Sequence, residues 1–162
     1  TIIKGAVSFF QKCIEAFRNE QVDVIISVGK NFSIHKLKDV PENCKIYNEV
    51  PQLSVLRKAD IFVTHGGMNS ISEALVYGVP MVVIPFMSDQ PTNARRIEEL
   101  GLGKKLDYRM INSELLRTTV LSVMNDEGIS ANVSKMQKQM LDAPGNRGGA
   151  DMIMEYYEKI SR

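Results

Sequence analysis

Apolar positions along this chain switch repeatedly between two periods, which predicts alternating helices and strands. Ala6, Phe9, Phe10, Cys13, Ile14 and Phe17 recur at three- and four-residue steps and share one stripe of a helix. Val22-Asp23-Val24-Ile25-Ile26-Ser27-Val28 is β-branched and stops at Gly29, as a buried strand does. The pattern then predicts a strand at 45–47, a helix over 52–58 and a strand at 60–64. A helix over 69–77 closes at Gly78, a residue suited to the left-handed turn after a helix. A strand at 81–84 ends at Pro85, a helix over 91–100 opens at Pro91, and 104–106 reads as an edge strand. Helices are expected over 113–124, 129–141 and 150–160, the last two separated by Pro144-Gly145-Asn146-Arg147-Gly148-Gly149. Strands alternating with helices imply an α/β fold, a Rossmann-like doubly wound parallel sheet with C-terminal helices. A helix feeding a strand, with no strand before it and no initiating Met, reads as a fragment of something longer.

Composition narrows the classes. The 162 residues, 44% of them apolar, suit a single domain over 1–162 with a substantial core. Twenty Lys and Arg stand against 19 Asp and Glu, and no basic block marks a nucleic-acid partner. The longest apolar run, 79–87, contains two prolines and falls far short of the ~20 residues a membrane span needs. No secretory signal is visible, so the cytoplasm is the expected compartment. Cys13 and Cys44 are isolated and read as reduced structural thiols.

Candidate chemistry concentrates in Thr64-His65-Gly66-Gly67-Met68-Asn69-Ser70-Ile71-Ser72-Glu73, between a strand and a helix. Two glycines there allow close backbone approach, and the first N–H groups of the helix, at the positive end of its dipole, suit a phosphate. Ordinary readings compete: Ser70 with Glu73 matches a capping box, His65 suits a satisfied interior histidine, and Asp89 or Gln90 suits a helix cap. A His-Gly-Gly turn also occurs in hydrolase oxyanion holes, but the Gly-x-Ser-x-Gly turn they need is missing. Gly101-Leu102-Gly103 lacks the third glycine of a dinucleotide fingerprint, and no P-loop exists. With two histidines and two scattered cysteines no zinc site is expected, and no Asp-x-Asp pair offers a divalent ion a place on a diphosphate.

The ordered set decides among these. Residues 50–103 contain Val50-Pro51-Gln52, Val55-Leu56, Ala59-Asp60, His65-Gly66-Gly67-Met68-Asn69-Ser70, Glu73-Ala74-Leu75, Gly78-Val79-Pro80, Pro85, Asp89-Gln90 and Asn93-Ala94. This series resembles the donor-binding signature of the UDP-dependent glycosyltransferases, particularly their bacterial macrolide-glycosyltransferase-like branch. The resemblance implies the C-terminal half of a GT-B fold, lacking its first strand. It also implies roles: Val50 and Gln52 at the base and ribose, Glu73 on the ribose hydroxyls, and Asp89 and Gln90 on the sugar. His65, Asn69 and Ser70, with N–H groups around Gly67 and Met68, would hold the diphosphate, and His65 would assist UDP departure. Many members carry Trp where this chain has Glu49, so stacking on the base must come from elsewhere.

The expected function is the donor half of an inverting glycosyltransferase that moves a hexose from a UDP-sugar, UDP-glucose above others, to a hydroxylated small molecule. No cofactor and no metal are expected. The general base and acceptor pocket belong, by the resemblance, to an N-terminal domain of the same protein. The fragment alone is therefore expected to bind nucleotide without turnover. A non-catalytic nucleotide-sugar-binding module and a nucleotide-sugar epimerase of the same fold are the alternatives.

Overall fold

The computed structural model describes residues 5–160, with Asn146 described only in its backbone; Thr1–Lys4, which open the chain, lie outside the described residues. Helix α1 (Ala6–Phe17) follows the predicted stripe, with Ile14 and Phe17 buried. Strand β1 (Val24–Ser27) pairs in parallel with β2 (Cys44–Tyr47). After α2 (Gln52–Leu56), β3 (Phe62–Thr64) leads into α3 (Met68–Val76), and β4 (Met81–Val83) into α4 (Gln90–Glu99). Strand β5 (Gly103–Lys105) completes the parallel order β3-β4-β5, and is the edge strand predicted for this region. Helices α5 (Ser113–Met124), α6 (Glu127–Asp142) and α7 (Gly145–Ile160) follow.

Every ladder is parallel, as the alternation requires, but among the described residues the strands form two ladders, β1-β2 and β3-β4-β5. They differ in burial. All three residues of β4 are buried, because strands flank it on both edges and helices cover it. Strand β1 departs from the expected fully buried strand. Val24 and Ile26 face the core with Ile14 and Leu37, whereas Ile25, one pleat over, is 49% exposed.

Side-chain amides from α6 hold the helix ends behind the sheet. Gln137 donates to the Val76 carbonyl at the end of α3 (2.9 Å), and Asn132 to the Gly101 carbonyl just beyond α4 (3.3 Å). The last helix differs from its sequence expectation, starting at Gly145 rather than at Ala150. Pro144 explains the break before it: the preceding residue, Ala143, is pushed to extended backbone (φ −66°, ψ 138°), which ends α6. The apolar side chains of α7 stay outside the core, with Met152 and Ile153 each 70% exposed. No helix among the described residues is long and apolar enough to cross a membrane.

Candidate nucleotide-sugar site

The turn between β3 and α3 is built from close contacts. Thr64, buried at the end of β3, accepts from the Gly66 N–H through Oγ1 (3.3 Å). Gly66 is buried with φ +86°, and a Cβ there would stand 2.6 Å from Val83 Cγ1, so only glycine fits without rearrangement. At Gly67 a Cβ would lie 2.8 Å from His65 Nε2. The imidazole thus lies against the bare backbone at the helix start. His65 is exposed, which removes the interior-histidine reading.

Gly67 holds the N-cap position of α3 in extended backbone, and no side chain caps the helix. Met68, Asn69 and Ser70 form its first turn, Met68 and Asn69 exposed and Ser70 half-buried. The capping box does not form. The helix begins before Ser70, and Glu73 Oε2 instead accepts from Gln52 Nε2 on α2 at 2.5 Å. Gln52 also reaches Ser70 Oγ at 3.4 Å. The residues assigned to ribose and diphosphate therefore share one network.

The turn after β4 supplies the other side. Gln90 Oε1 accepts from the backbone N–H groups of Phe86 (2.8 Å) and Met87 (3.1 Å). These bonds brace a tight loop in which Ser88 has φ +56°, a conformation that costs a non-glycine residue about 1 kcal/mol or more. The Phe86 ring packs against Tyr108 (centroids 4.7 Å apart) and Phe9 (6.3 Å), fastening the loop to α1. Asp89 sits at the N-cap position of α4, but its side chain does not cap the helix. Its Oδ2 accepts from Asn93 Nδ2 at 2.8 Å, and the same nitrogen donates to the Gly66 carbonyl at 3.0 Å.

Val50 is half-buried immediately before α2, and Glu49 is exposed and ion-paired with Lys30 (3.4 Å). Nearby, Asn48 Nδ2 donates to the carbonyls of Gly29 and Phe32 and ties the ends of β1 and β2 together. Thr64 and Asn93 are the contributors that sequence reasoning did not single out as site residues. A threonine ending a strand two residues before a glycine is a signal for the first; the Asp-x-x-x-Asn spacing, one helical turn, is a signal for the second.

Other reactive groups stand apart. Cys13 and Cys44 are free, and burial pushes the Cys13 thiol up to about 12 and raises Cys44 as well, so both are protonated at neutral pH. His35 is exposed in a short 3-10 turn, Ile34–Lys36. Among the described residues no three His, Cys, Asp or Glu side chains cluster as metal ligands. A concavity of about 300 Å³ beside α1 and α5, lined by Glu15, Asn19, Glu20, Glu114 and Arg117 among others, includes none of the residues of these turns.

Known proteins resemble this chain in sequence and fold. Residues 29–146 match the family described as UDP-glucoronosyl and UDP-glucosyl transferase. The chain is 43% identical over 151 residues to the NDP-glycosyltransferase YjiC of Bacillus subtilis, covering 93% of this chain and 38% of that protein. It superposes on the glycotransferase of kitacinnamycin with a TM-score of 0.86 at 34% identity, over 91% of this chain and 38% of the other. Os79 of O. sativa, solved in complex with UDP, gives a TM-score of 0.81 at 26% identity, over 97% of this chain and 38% of that one. This chain therefore spans less than two-fifths of these relatives, and its fold is that of one part of a GT-B glycosyltransferase. With a family match across most of its length and a 43% identical relative, the chain belongs to the UDP-glucoronosyl and UDP-glucosyl transferase family.

Proposed function

We propose that this chain is the donor-binding part of an inverting glycosyltransferase that moves a hexose from a UDP-sugar to a hydroxyl of a small molecule. The observation that carries this reading is the uncapped start of α3, with His65 against Gly67, joined to Gln52–Glu73 on one side and to Asp89–Gln90 on the other. Uncapped N–H groups and the positive end of the helix dipole suit the diphosphate. Glu73, already oriented by Gln52, suits the ribose hydroxyls. Gln90 has its carbonyl committed to two backbone N–H groups, so its amide hydrogens face a sugar as donors, with Asp89 beside it as acceptor.

In the proposed reaction the acceptor oxygen attacks the anomeric carbon opposite the phosphate, and the carbon–oxygen bond to UDP breaks with its electron pair leaving on UDP. His65 and the α3 N-terminus stabilise that growing charge, and this reading requires no metal. The acceptor proton goes to a base outside these residues, which we place in an N-terminal domain of the same protein together with the acceptor pocket. The exposed apolar face of α7 is proposed to pack on that domain. This chain by itself is then proposed to bind nucleotide without turnover. The cytoplasm is the proposed compartment.

Calorimetric titration of the folded chain with UDP, UDP-glucose and TDP tests the donor site. Binding of UDP with a gain from the glucose is expected, and no binding of any of the three overturns the reading. In the whole protein, activity that survives EDTA and a product of inverted anomeric coupling by NMR test the remaining claims. The intact sugar-facing pair Asp89–Gln90 disfavours a module that recognises only nucleotide. An epimerase needs acid–base groups facing C2 of the sugar, and among the described residues none is identified in this site.

A further inference from the structure

We infer that Asn93 is a positioning residue that locks the sugar-facing carboxylate of Asp89 to the diphosphate turn, so that the two halves of the donor site act as one. This rests on the donor-site reading above. The geometry is specific. One side-chain nitrogen carries two hydrogens, and both are committed, to the Gly66 carbonyl (3.0 Å) and to Asp89 Oδ2 (2.8 Å). The first bond crosses from α4 to the turn after β3; the second runs back one turn along α4 to the residue that begins it.

Each bond fixes something a ligand would meet. The Gly66 carbonyl belongs to the planar Gly66–Gly67 peptide, so holding it toward α4 aims the Gly67 N–H the opposite way. Thr64 Oγ1, which accepts from the Gly66 N–H, holds the preceding peptide of the same turn. The bond to Asp89 settles which carboxylate oxygen faces away from the helix. Asp89 is exposed and would otherwise sample several rotamers, a loss of order that a sugar would have to reverse on binding. The next residue, Ala94, is fully buried, so the backbone that presents Asn93 is rigid.

Removing the tether should therefore harm recognition of the sugar more than recognition of the nucleotide. Gly67 keeps a second restraint, since its carbonyl accepts from the Ile71 N–H at 3.1 Å, whereas among the described residues the only side-chain hydrogen bond found for Asp89 is that from Asn93. The test uses the full-length protein and its Asn93→Ala and Asn93→Ser variants, with Thr92→Ala as a control on the exposed side of α4. Affinities are measured for UDP and for whichever of UDP-glucose, UDP-galactose and UDP-N-acetylglucosamine the unaltered protein holds best. The expected result is a loss of about tenfold or more for the UDP-sugar against less than about threefold for UDP. The extra loss for the UDP-sugar over that for UDP should disappear when Asp89→Ala is already present. Equal losses for both ligands, no loss, full additivity with Asp89→Ala, or failure of both Asn93 variants to fold would make Asn93 structural and overturn the inference. So would an unaltered protein that binds UDP and gains nothing from any hexose. Absence of UDP binding by the unaltered protein would instead sink the donor-site reading itself.

Discussion

Helices in this chain begin in two different ways. Helix α5 begins under Asn112, whose side chain accepts from the Leu115 N–H at 2.8 Å, and α6 under Asp126, which accepts from Ile129 N–H at 3.0 Å. Helices α3 and α4, which follow the carboxyl ends of β3 and β4, begin without a side-chain cap. The difference is not a shortage of suitable residues. Glu73 lies in the second turn of α3 yet reaches Gln52, and Asp89 holds the N-cap position of α4 yet accepts from Asn93. At α5 and α6, away from the proposed site, a side chain at the N-cap satisfies one of the first N–H groups internally. At the proposed site Glu73 bonds across to α2 and Asp89 bonds Asn93 one turn along α4, so neither caps its helix and both starts are left to a ligand.

His65 gives the largest expected effect and the hardest test of that contrast. Loss of a hydrogen bond to a charged diphosphate in the His65→Ala variant should weaken UDP binding by about 1.5–3 kcal/mol. Because His65 is exposed, the melting temperature should hardly move. Calorimetry beside thermal unfolding checks both halves, and unchanged UDP affinity would reduce His65 to an ordinary surface residue. Gly67→Ala comes next. Its methyl group would press on His65 Nε2 and push the ring aside without reaching the core. The loss of UDP affinity should be smaller than for His65→Ala, and close to nothing once His65 is already alanine.

The capped starts should respond in the opposite sense. Asn112→Ala and Asp126→Ala should each cost about 1 kcal/mol of stability, read from denaturant unfolding, with UDP affinity unchanged. A binding defect in either would collapse the contrast between the two kinds of helix start.

Sequence alone reveals this contrast only in part, for a physical reason. Element order was legible because periodicity is local: the α1 stripe and the glycine that closes α3 are read within a few residues. The candidate site was legible as a list, since His65 to Glu73 and Asp89-Gln90 are short contiguous runs. The bonds that make the list a site join residues far apart. Gln52 and Glu73 are 21 positions apart, and Gly66 and Asn93 are 27 apart. No local pattern shows whether Glu73 turns back to its own helix or across to another. The same holds for Ile25, whose type says buried but whose face of β1 lies open, and for the division of the strands into two ladders. Helix α7 shows the converse: glycines at 148 and 149 argue for a later start, yet the helix runs through them.

The smallest effect belongs to a third self-capped start and is a matter of pH. Asp107 precedes the 3-10 turn Tyr108–Met110 and accepts from the Arg109 N–H at 3.0 Å, while its other oxygen meets the Arg109 guanidinium at 2.7 Å. The side-chain bonds from Arg109, and then its backbone N–H, hold the Asp107 carboxyl at about 2, below the ordinary carboxylate value near 3.9. A depressed carboxyl pKa favours the folded state above the unfolded value. That contribution is lost as pH falls from about 4 through about 2. Both residues of the pair are exposed, so the effect on stability is slight and should fade further at high salt. An NMR titration of the Asp107 carboxyl should give a midpoint near 2, moving up toward the ordinary value in Arg109→Ala. UDP affinity at neutral pH should be the same in both proteins, because this cap, like those at Asn112 and Asp126, serves its own turn. A midpoint already at the ordinary value in the unaltered protein would mean that the carboxylate is not so held, and Asp107 would leave the self-capped group.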